Sequence, residues 1–385
     1  MGICVNKQPT QVVTTARASK PQPAVSTIDL VSACKEEAKD LVKQPSDLRT
    51  VRTTMKGTEG NEEQEAVLGF GNHLHIEGAP TTSHQSGFED KATRVQIQGL
   101  SLDQLAKAGL AYVCKKGLKP ESPNQDDFCL TLDGDTILLG VFDGHGPSGH
   151  DISHFVHRDL MQQIRSSTEY EQRPIEALKK AFGATNENLK AYCGLESTNC
   201  DCTVSGSTAS VAMFRGNRLL VGHVGDSRII MATREAGFLK AQSLTEDHKP
   251  MLPEEKHRIE QSGGEVKQMP GDIPYRVFAK GTEDPGLSMS RSIGDTDAQA
   301  VGVICEPDVA ELEVTASAEF ILLCSDGVWE FISNEEAVEV VGKFPRQQAR
   351  QAAEKLAQLA WMRWVHNEED TVDDITVLLA YVPRP

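Results

Sequence analysis

The chain has 385 residues and carries 39 Lys plus Arg against 56 Asp plus Glu, a formal net charge of −17. That length suits two average domains or one large domain with a tail, and the acidic balance excludes a general nucleic-acid binder, which needs a basic footprint. Nine cysteines at irregular spacing form no paired CxxC knuckles, which excludes a zinc-ribbon framework.

The first residues, MGICVNK, approximate an N-myristoylation signal, with Gly2 exposed after methionine removal and Cys4 beside it as a palmitoylation site. Asn6 stands where Ser or Thr is usual, so an ordinary N-terminus and an acylated, lipoprotein-type one both stay open. Acylation at both sites would bring membrane association, since two chains anchor where one binds weakly. No secretory h-region and no apolar run of about 18 residues is present. Free thiols and a cytoplasmic location, with the membrane as an acylation-dependent alternative, are expected.

Residues 1–95 read as a disordered, low-complexity tail. Stretches such as VVTTARASKPQPAVST, KGTEGNEEQE and GAPTTSHQSG are too polar to bury the surface that offsets chain entropy. A short helix around Ser32 to Lys43 is the exception. His73, His75 and His84 are too sparse to suggest a metal site.

Residues 96–385 read as one folded domain. Apolar β-type runs recur: GLAYVC (109–114), FCLTL (128–132), TILLGVF (136–142), STASVAMF (207–214), RLLVGHVG (218–225), RIIMAT (228–233), EFILLCSD (319–326) and ITVLLAYV (375–382). In DISHFVHRDLMQQI, Ile152, Phe155, Val156, Leu160 and Ile164 share one helical face. In the next helix the stripe is Ile175, Leu178, Phe182, Leu189 and Tyr192. Ser333 with Glu336 reads as a capping box, and a long helix over 346–366 turns Leu356, Leu359, Ala360 and Trp364 inward. Serial strands broken by paired helices predict an α+β fold with antiparallel sheets rather than a βαβ repeat.

Aspartates gather at the ends of these runs: Asp126 and Asp127 before FCLTL, Asp143 after TILLGVF, Asp226, Asp295, Asp326, and Asp373 with Asp374 before ITVLLAYV. Turns attract aspartate for local reasons, so each alone reads as structural. Together, and flanked by glycine in DGHG, VGDS, IGD and SDG, they imply converging carboxylates that a cation must compensate. Hard oxygen donors without Cys or ordered His pairs point to Mg²⁺ or Mn²⁺. Asp143 can bridge two such ions, Gly144 leaves its carbonyl free as a ligand, and His145 stands beside them.

FDGHG, SGSTA (205–209), VGDSR (224–228), LTEDHKP (244–250), GLSMSRSIGD (286–295), CSDGVWE (324–330) and DDITVLL (373–379) follow in order. This succession resembles the motifs of the metal-dependent type 2C serine/threonine protein phosphatases, over about residues 105–383, and its NQDD and DDIT forms are closest to the plant and protist branches. The resemblance implies a sandwich of two antiparallel sheets between layers of helices, with the metals at one end. It implies a hydrolase of protein phosphoserine and phosphothreonine in which a hydroxide bridging two ions attacks phosphorus.

Carried onto matching positions, the resemblance makes Asp143, the Gly144 carbonyl, Asp326 and Asp373 ligands of the metal pair. Asp126 orients metal-bound water, and Asp295 with Asp226 serves a third, weaker ion. His145 becomes the general acid for the alkoxide leaving group. His150, His154 and His157 read as surface or supporting residues. An arginine that usually holds substrate phosphate is missing from KKGLKPESPNQDD. Lys119 is the candidate in its place, with Lys116 second, and a lysine offers a point charge rather than a fork. Residues 250–285 take the family's flap position, with EEKHRIEQSGG as a short helix, PGDIPYRVFAKGTEDPG as a loop, and Tyr275, Arg276 and Phe278 as either substrate contacts or packing. The Cys200-Asp201-Cys202 pair reads as loop thiols. Phosphoproteins are the expected partners and a monomer the expected state. The alternative, a catalytically impaired scaffold or binding module on the same fold, rests on the missing arginine.

Overall fold

A computed structural model describes residues 73–383, apart from 82–86, 99–104, 106–107, 120–121, 272 and 369–370. The predicted acylation site at Gly2 and Cys4, the helix around Ser32 to Lys43, and His84 lie outside the described residues.

Strands β1 (His73–Gly78), β2 (Thr93–Gln98), β3 (Leu110–Lys115), β4 (Asp126–Asp133), β5 (Thr136–His145), β6 (Gly206–Ser207), β7 (Ala209–Arg215), β8 (Arg218–Val224), β9 (Arg228–Glu235), β10 (Phe238–Ser243), β11 (Gly264–Gln268), β12 (Tyr275–Ala279), β13 (Pro285–Leu287), β14 (Ile293–Gly294), β15 (Asp308–Glu313), β16 (Ala318–Cys324) and β17 (Ile375–Tyr381) form three sheets. The largest runs in the order β15-β8-β7-β5-β4-β1-β2, with β6 and β14 attached beside β5; the second runs β10-β9-β16-β17-β3. Their pairings are antiparallel.

The apolar runs are continuous because both faces of each sheet are covered. Between the sheets, Ile76, Phe128, Leu139, Val141 and Phe214 meet Ile229, Ile321, Leu323 and Leu378. The odd-even partners of these residues point outward. Leu138, Phe142 and Val211 lie under helices α1 (Gly149–Ser166) and α2 (Pro174–Cys193), against Ile152, Val156, Leu160, Leu178 and Phe182. Leu322, Val377 and Leu379 lie under the later helices, against Val338, Leu356 and Ala360. The result is the predicted sandwich of two antiparallel sheets between helical layers. Ile175 and Tyr192, placed on the inward stripe of the second helix by the sequence, are instead 37% and 38% exposed.

The folded part starts earlier than residue 96. β1 sits between β2 and β4 in the largest sheet, with Leu74 and Ile76 fully buried. Composition concealed this strand because half of HLHIEG is polar. His75 and Glu77 are buried nonetheless, bonded to each other at 3.0 Å, with His75 Nδ1 also 2.8 Å from Thr131 Oγ1.

Helix α3 (Pro253–Gln261) and the sheet β11-β12-β13 make up the flap. The segment expected as a loop thus contains β12, whose Val277 and Phe278 are buried while Tyr275 is 39% exposed. Phe278 is 2% exposed and has Lys267 Nζ 4.7 Å from its ring centroid, and Val277 joins Ile259, Val266 and Val303 in the flap's own small core.

Candidate metal centre

Antiparallel pairing delivers the aspartates to one place. Asp126, opening β4, is the direct register partner of Asp143 near the end of β5. Cys324, ending β16, pairs with Val377 just inside β17, so Asp326 follows one strand where Asp373 precedes its neighbour. Asp226 occupies the tight connection between β8 and β9.

The Asp143 backbone is pinned on both sides. Its N–H donates to Thr208 Oγ1 at 2.9 Å and its carbonyl accepts from Thr208 N at 2.9 Å. Gly144 follows because any side chain there would strike the carbonyl oxygens of Gly149 and Gln125. Asp126 Oδ2 accepts from Thr376 Oγ1 at 2.6 Å and Ser325 Oγ at 2.8 Å. Sequence reasoning missed both hydroxyls, although each borders a motif aspartate in CSDG or DDIT.

The electrostatics show how closely the carboxylates gather. Burial, then the charges of Asp126, Asp326, Asp373 and Asp226, hold the Asp143 carboxyl well above its ordinary range. Burial, then Asp373 and Asp226, do the same to Asp326. Burial and Asp374 raise Asp126. Buried Asp226 Oδ1 and Asp326 Oδ1 have no hydrogen-bond partner. An all-oxygen donor set with orphaned buried carboxylate atoms and mutual repulsion is what a hard divalent cation resolves, so these residues fit Mg²⁺ or Mn²⁺.

Two lysines reach into the cluster. Lys119 Nζ donates to Asp373 Oδ1 at 2.5 Å, and Lys249 Nζ to Asp226 Oδ2 at 2.6 Å. Burial opposes the charge on each lysine, but Asp373 and Asp226 respectively more than offset it and hold both ammoniums above their ordinary range. Lys249 was missed in the sequence, where it stood in LTEDHKP, 23 residues from its partner Asp226. Lys116, the second phosphate candidate, is 1% exposed and bonded to Asp374 at 3.3 Å. Asp374 also accepts from Gly117 N and Gln125 N, at 2.7 Å each, so of the adjacent pair Asp374 is the structural anchor and Asp373 the one at the centre.

His145 Nε2 lies 2.7 Å from Asp295 Oδ2. Burial disfavours the imidazolium, but Asp295 outweighs it and raises the His145 pKa above the ordinary value. Asp295 Oδ2 also accepts from Ser292 Oγ at 2.5 Å, and Asp295 itself adopts a left-handed φ of 48°. The structure therefore places Asp295 as the partner of His145.

Behind this wall lies a second buried network. Asp127 Oδ2 accepts from His154 Nδ1 at 2.8 Å and His157 Nδ1 at 2.9 Å, and His157 Nε2 lies 3.1 Å from Glu77 Oε2. Lys91 Nζ, 1% exposed, lies 3.9 Å from Asp127 Oδ1 and donates to the Asp126 carbonyl at 2.5 Å. His157 is thus a core residue that ties β1 to the wall. The Asp127, His154 and His157 ligand atoms are close enough for one metal ion, but they are already satisfied by hydrogen bonds and a lysine.

The comparisons with known proteins agree with this geometry. The family described as PP2C, protein phosphatase 2C, matches residues 120–368. The chain is similar to probable protein phosphatase 2C 64 of Oryza sativa subsp. japonica, at 35% identity over 312 residues, covering 76% of this chain and 70% of that protein. It is similar to probable protein phosphatase 2C 12 of the same organism at 35% over 295 residues, covering 63% and 74%. Its fold superposes on a serine-threonine phosphatase 2C from Toxoplasma gondii with a TM-score of 0.63 at 24% identity, covering 80% of this chain and 98% of that one.

Proposed function

We propose, for a chain that belongs to the protein phosphatase 2C family and is a protein serine/threonine phosphatase, that the strand-end carboxylates cradle two divalent ions and that His145 and Lys119 serve the two ends of the substrate phosphate. The observation that carries this reading is the convergence of Asp143, Asp326, Asp373, Asp226 and Asp126, whose gathered charges, with burial, hold the carboxyls of Asp143, Asp326 and Asp126 above their ordinary range. Asp143, the Gly144 carbonyl, Asp326 and Asp373 would hold the ions, with Asp295 and Asp226 serving a third, weaker one. Bound Mg²⁺ or Mn²⁺ supplies Lewis acidity and an activated water nucleophile.

The chain's own residues do the rest. Asp126, fixed by Ser325 and Thr376, offers a rigid acceptor that orients water. His145, whose imidazolium form Asp295 favours from the Nε2 side while Nδ1 is left without a partner, would give a proton to a serine or threonine alkoxide, a leaving group too basic to depart alone. Lys119, with its side chain 32% exposed, provides the point charge for phosphate once a cation relieves it of Asp373. Association with a membrane through Gly2 and Cys4 remains a proposal from the sequence, tested by mass spectrometry of the native N-terminus.

Calorimetric titration of Mn²⁺ into the full chain tests the cradle. Two-site binding that drops to weak or absent binding in Asp143→Asn supports it, and unchanged binding in that variant removes it.

A further inference from the structure

Three thiols meet where helix α2 ends. Cys193, its last residue, has Sγ 2.9 Å from Cys200 Sγ, and Cys202 also hydrogen-bonds to Cys193. All three are free. Cys193 is partly exposed, whereas Cys200 and Cys202 are each 6% exposed. Closing the Cys193–Cys200 gap to a disulfide of about 2.05 Å brings the sulfurs together by about 0.9 Å.

The loop that carries Cys200 and Cys202 also holds the catalytic wall. The Cys202 carbonyl accepts from Thr296 N at 2.9 Å, and the Ser205 carbonyl accepts from Asp295 N at 2.9 Å. Ser205 Oγ accepts from Ser148 N, and Ser148 Oγ accepts from Asp201 N, both at 3.1 Å. The backbone of Asp295, the partner of His145, therefore hangs from the same short loop as the thiols.

We propose that Cys193 and Cys200 form a reversible oxidation site through which hydrogen peroxide lowers turnover at the adjacent centre. The effect on turnover rests on the phosphatase reading above; the cross-link does not. The Cys193 sulfur attacks the peroxide, forming an S–O bond as the O–O bond breaks and one water leaves. The Cys200 sulfur then attacks the Cys193 sulfur; the S–S bond forms, the S–O bond breaks, and the hydroxyl leaves with the Cys200 proton as a second water. Two thiols are oxidised by two electrons and one peroxide is reduced to two waters. Burial, with Cys200 alongside, pushes the Cys193 thiol up to about 12, so thiolate is scarce at neutral pH and oxidation accelerates as pH rises.

The test uses the full chain in Mg²⁺, treated with hydrogen peroxide, mapped by mass spectrometry without reduction, and assayed on a phosphothreonine peptide. The expected map shows a Cys193–Cys200 cross-link. The expected activity shows kcat falling about fivefold or more, consistent with a shift of about 1 Å near a catalytic group, and returning with dithiothreitol. Cys193→Ser and, separately, Cys200→Ala keep ordinary activity and lose the response, while Cys202→Ser retains it. A map without the cross-link overturns the site, and a cross-linked enzyme with full kcat, or a reversible loss that persists in both variants, overturns its effect on turnover. A chain inactive before oxidation overturns the phosphatase reading and the turnover effect with it, while the map still decides the cross-link.

Discussion

Lys119 Nζ lies 2.5 Å from Asp373 Oδ1, so the cation expected at the substrate phosphate meets the carboxylate expected at the metal. The same exchange recurs at Lys249 and Asp226. A carboxylate cluster assembled by strand ends attracts whatever positive charge is within reach. The arginine-free segment before NQDD thus has a definite consequence: its lysine is a flexible point charge that can serve either partner.

Lys119→Ala is expected to raise KM for a phosphothreonine peptide about tenfold, with a smaller change in kcat. That corresponds to about 1.4 kcal/mol, the scale of one charge-assisted contact. Steady-state kinetics check it. Lys116→Ala is expected to act differently, lowering thermal stability, because it leaves buried Asp374 without its ammonium.

Asp143→Asn is expected to abolish turnover while raising Tm in EDTA. The wild-type carboxyl is held well above its ordinary range by burial and four neighbouring carboxylates, and removing one member of a repelling group relieves the metal-free fold. In saturating Mn²⁺ the order should reverse, since only wild type gains the full binding energy. Differential scanning calorimetry with and without metal distinguishes the two.

His145→Gln is expected to cost about 10²–10³ in kcat on phosphothreonine, in line with loss of general-acid catalysis. On an aryl phosphate, whose leaving group departs without a proton, the loss should be much smaller. Asp295→Asn should follow the same pattern more weakly, because it removes the charge that favours the imidazolium. Equal losses on both substrates would contradict the acid role.

Glu255, buried between Arg258 and Arg291, carries a pH dependence of stability. Burial opposes its charge, but Arg258, Arg291 and Ser290 together bring its pKa down to about 2. Because the folded pKa is depressed, the contribution is complete above the unfolded pKa near 4.5 and is lost as pH falls toward 2. It amounts to about 3 kcal/mol at neutral pH. Urea unfolding of wild type and Glu255→Gln should differ at pH 7 and converge as the pH drops through this window.

Much of the fold could be read from the chain because strand ends announce themselves. Apolar runs closed by DG or GD locate β5, β8 and β16, and the aspartate pair of DDIT precedes β17. What escaped was any residue whose role depends on a partner distant in sequence. β1 was hidden because Glu77 looks like a solvent residue until His75 and His157 are placed on either side of it. β12 was hidden by glycine and proline at both ends of the flap. The contact of His145 with Asp295, 150 residues away, was likewise visible only in the fold.

The position of β1 sets a boundary test. A chain beginning at residue 68 is expected to fold and bind metal like the full protein. One beginning at residue 99 loses β1 and β2, exposes Leu130 and its neighbours, and removes Glu77 and Lys91 from the network behind Asp126 and Asp127. Loss of soluble expression or of the cooperative unfolding transition in the shorter chain checks this.

Manganese-dependent hydrolysis of a phosphothreonine peptide, measured for wild type, Asp143→Asn and wild type in excess EDTA, tests the central claim most directly. Turnover by wild type that disappears in both controls is the predicted result. Full activity in EDTA, or undiminished activity in Asp143→Asn, would contradict a centre built on these carboxylates.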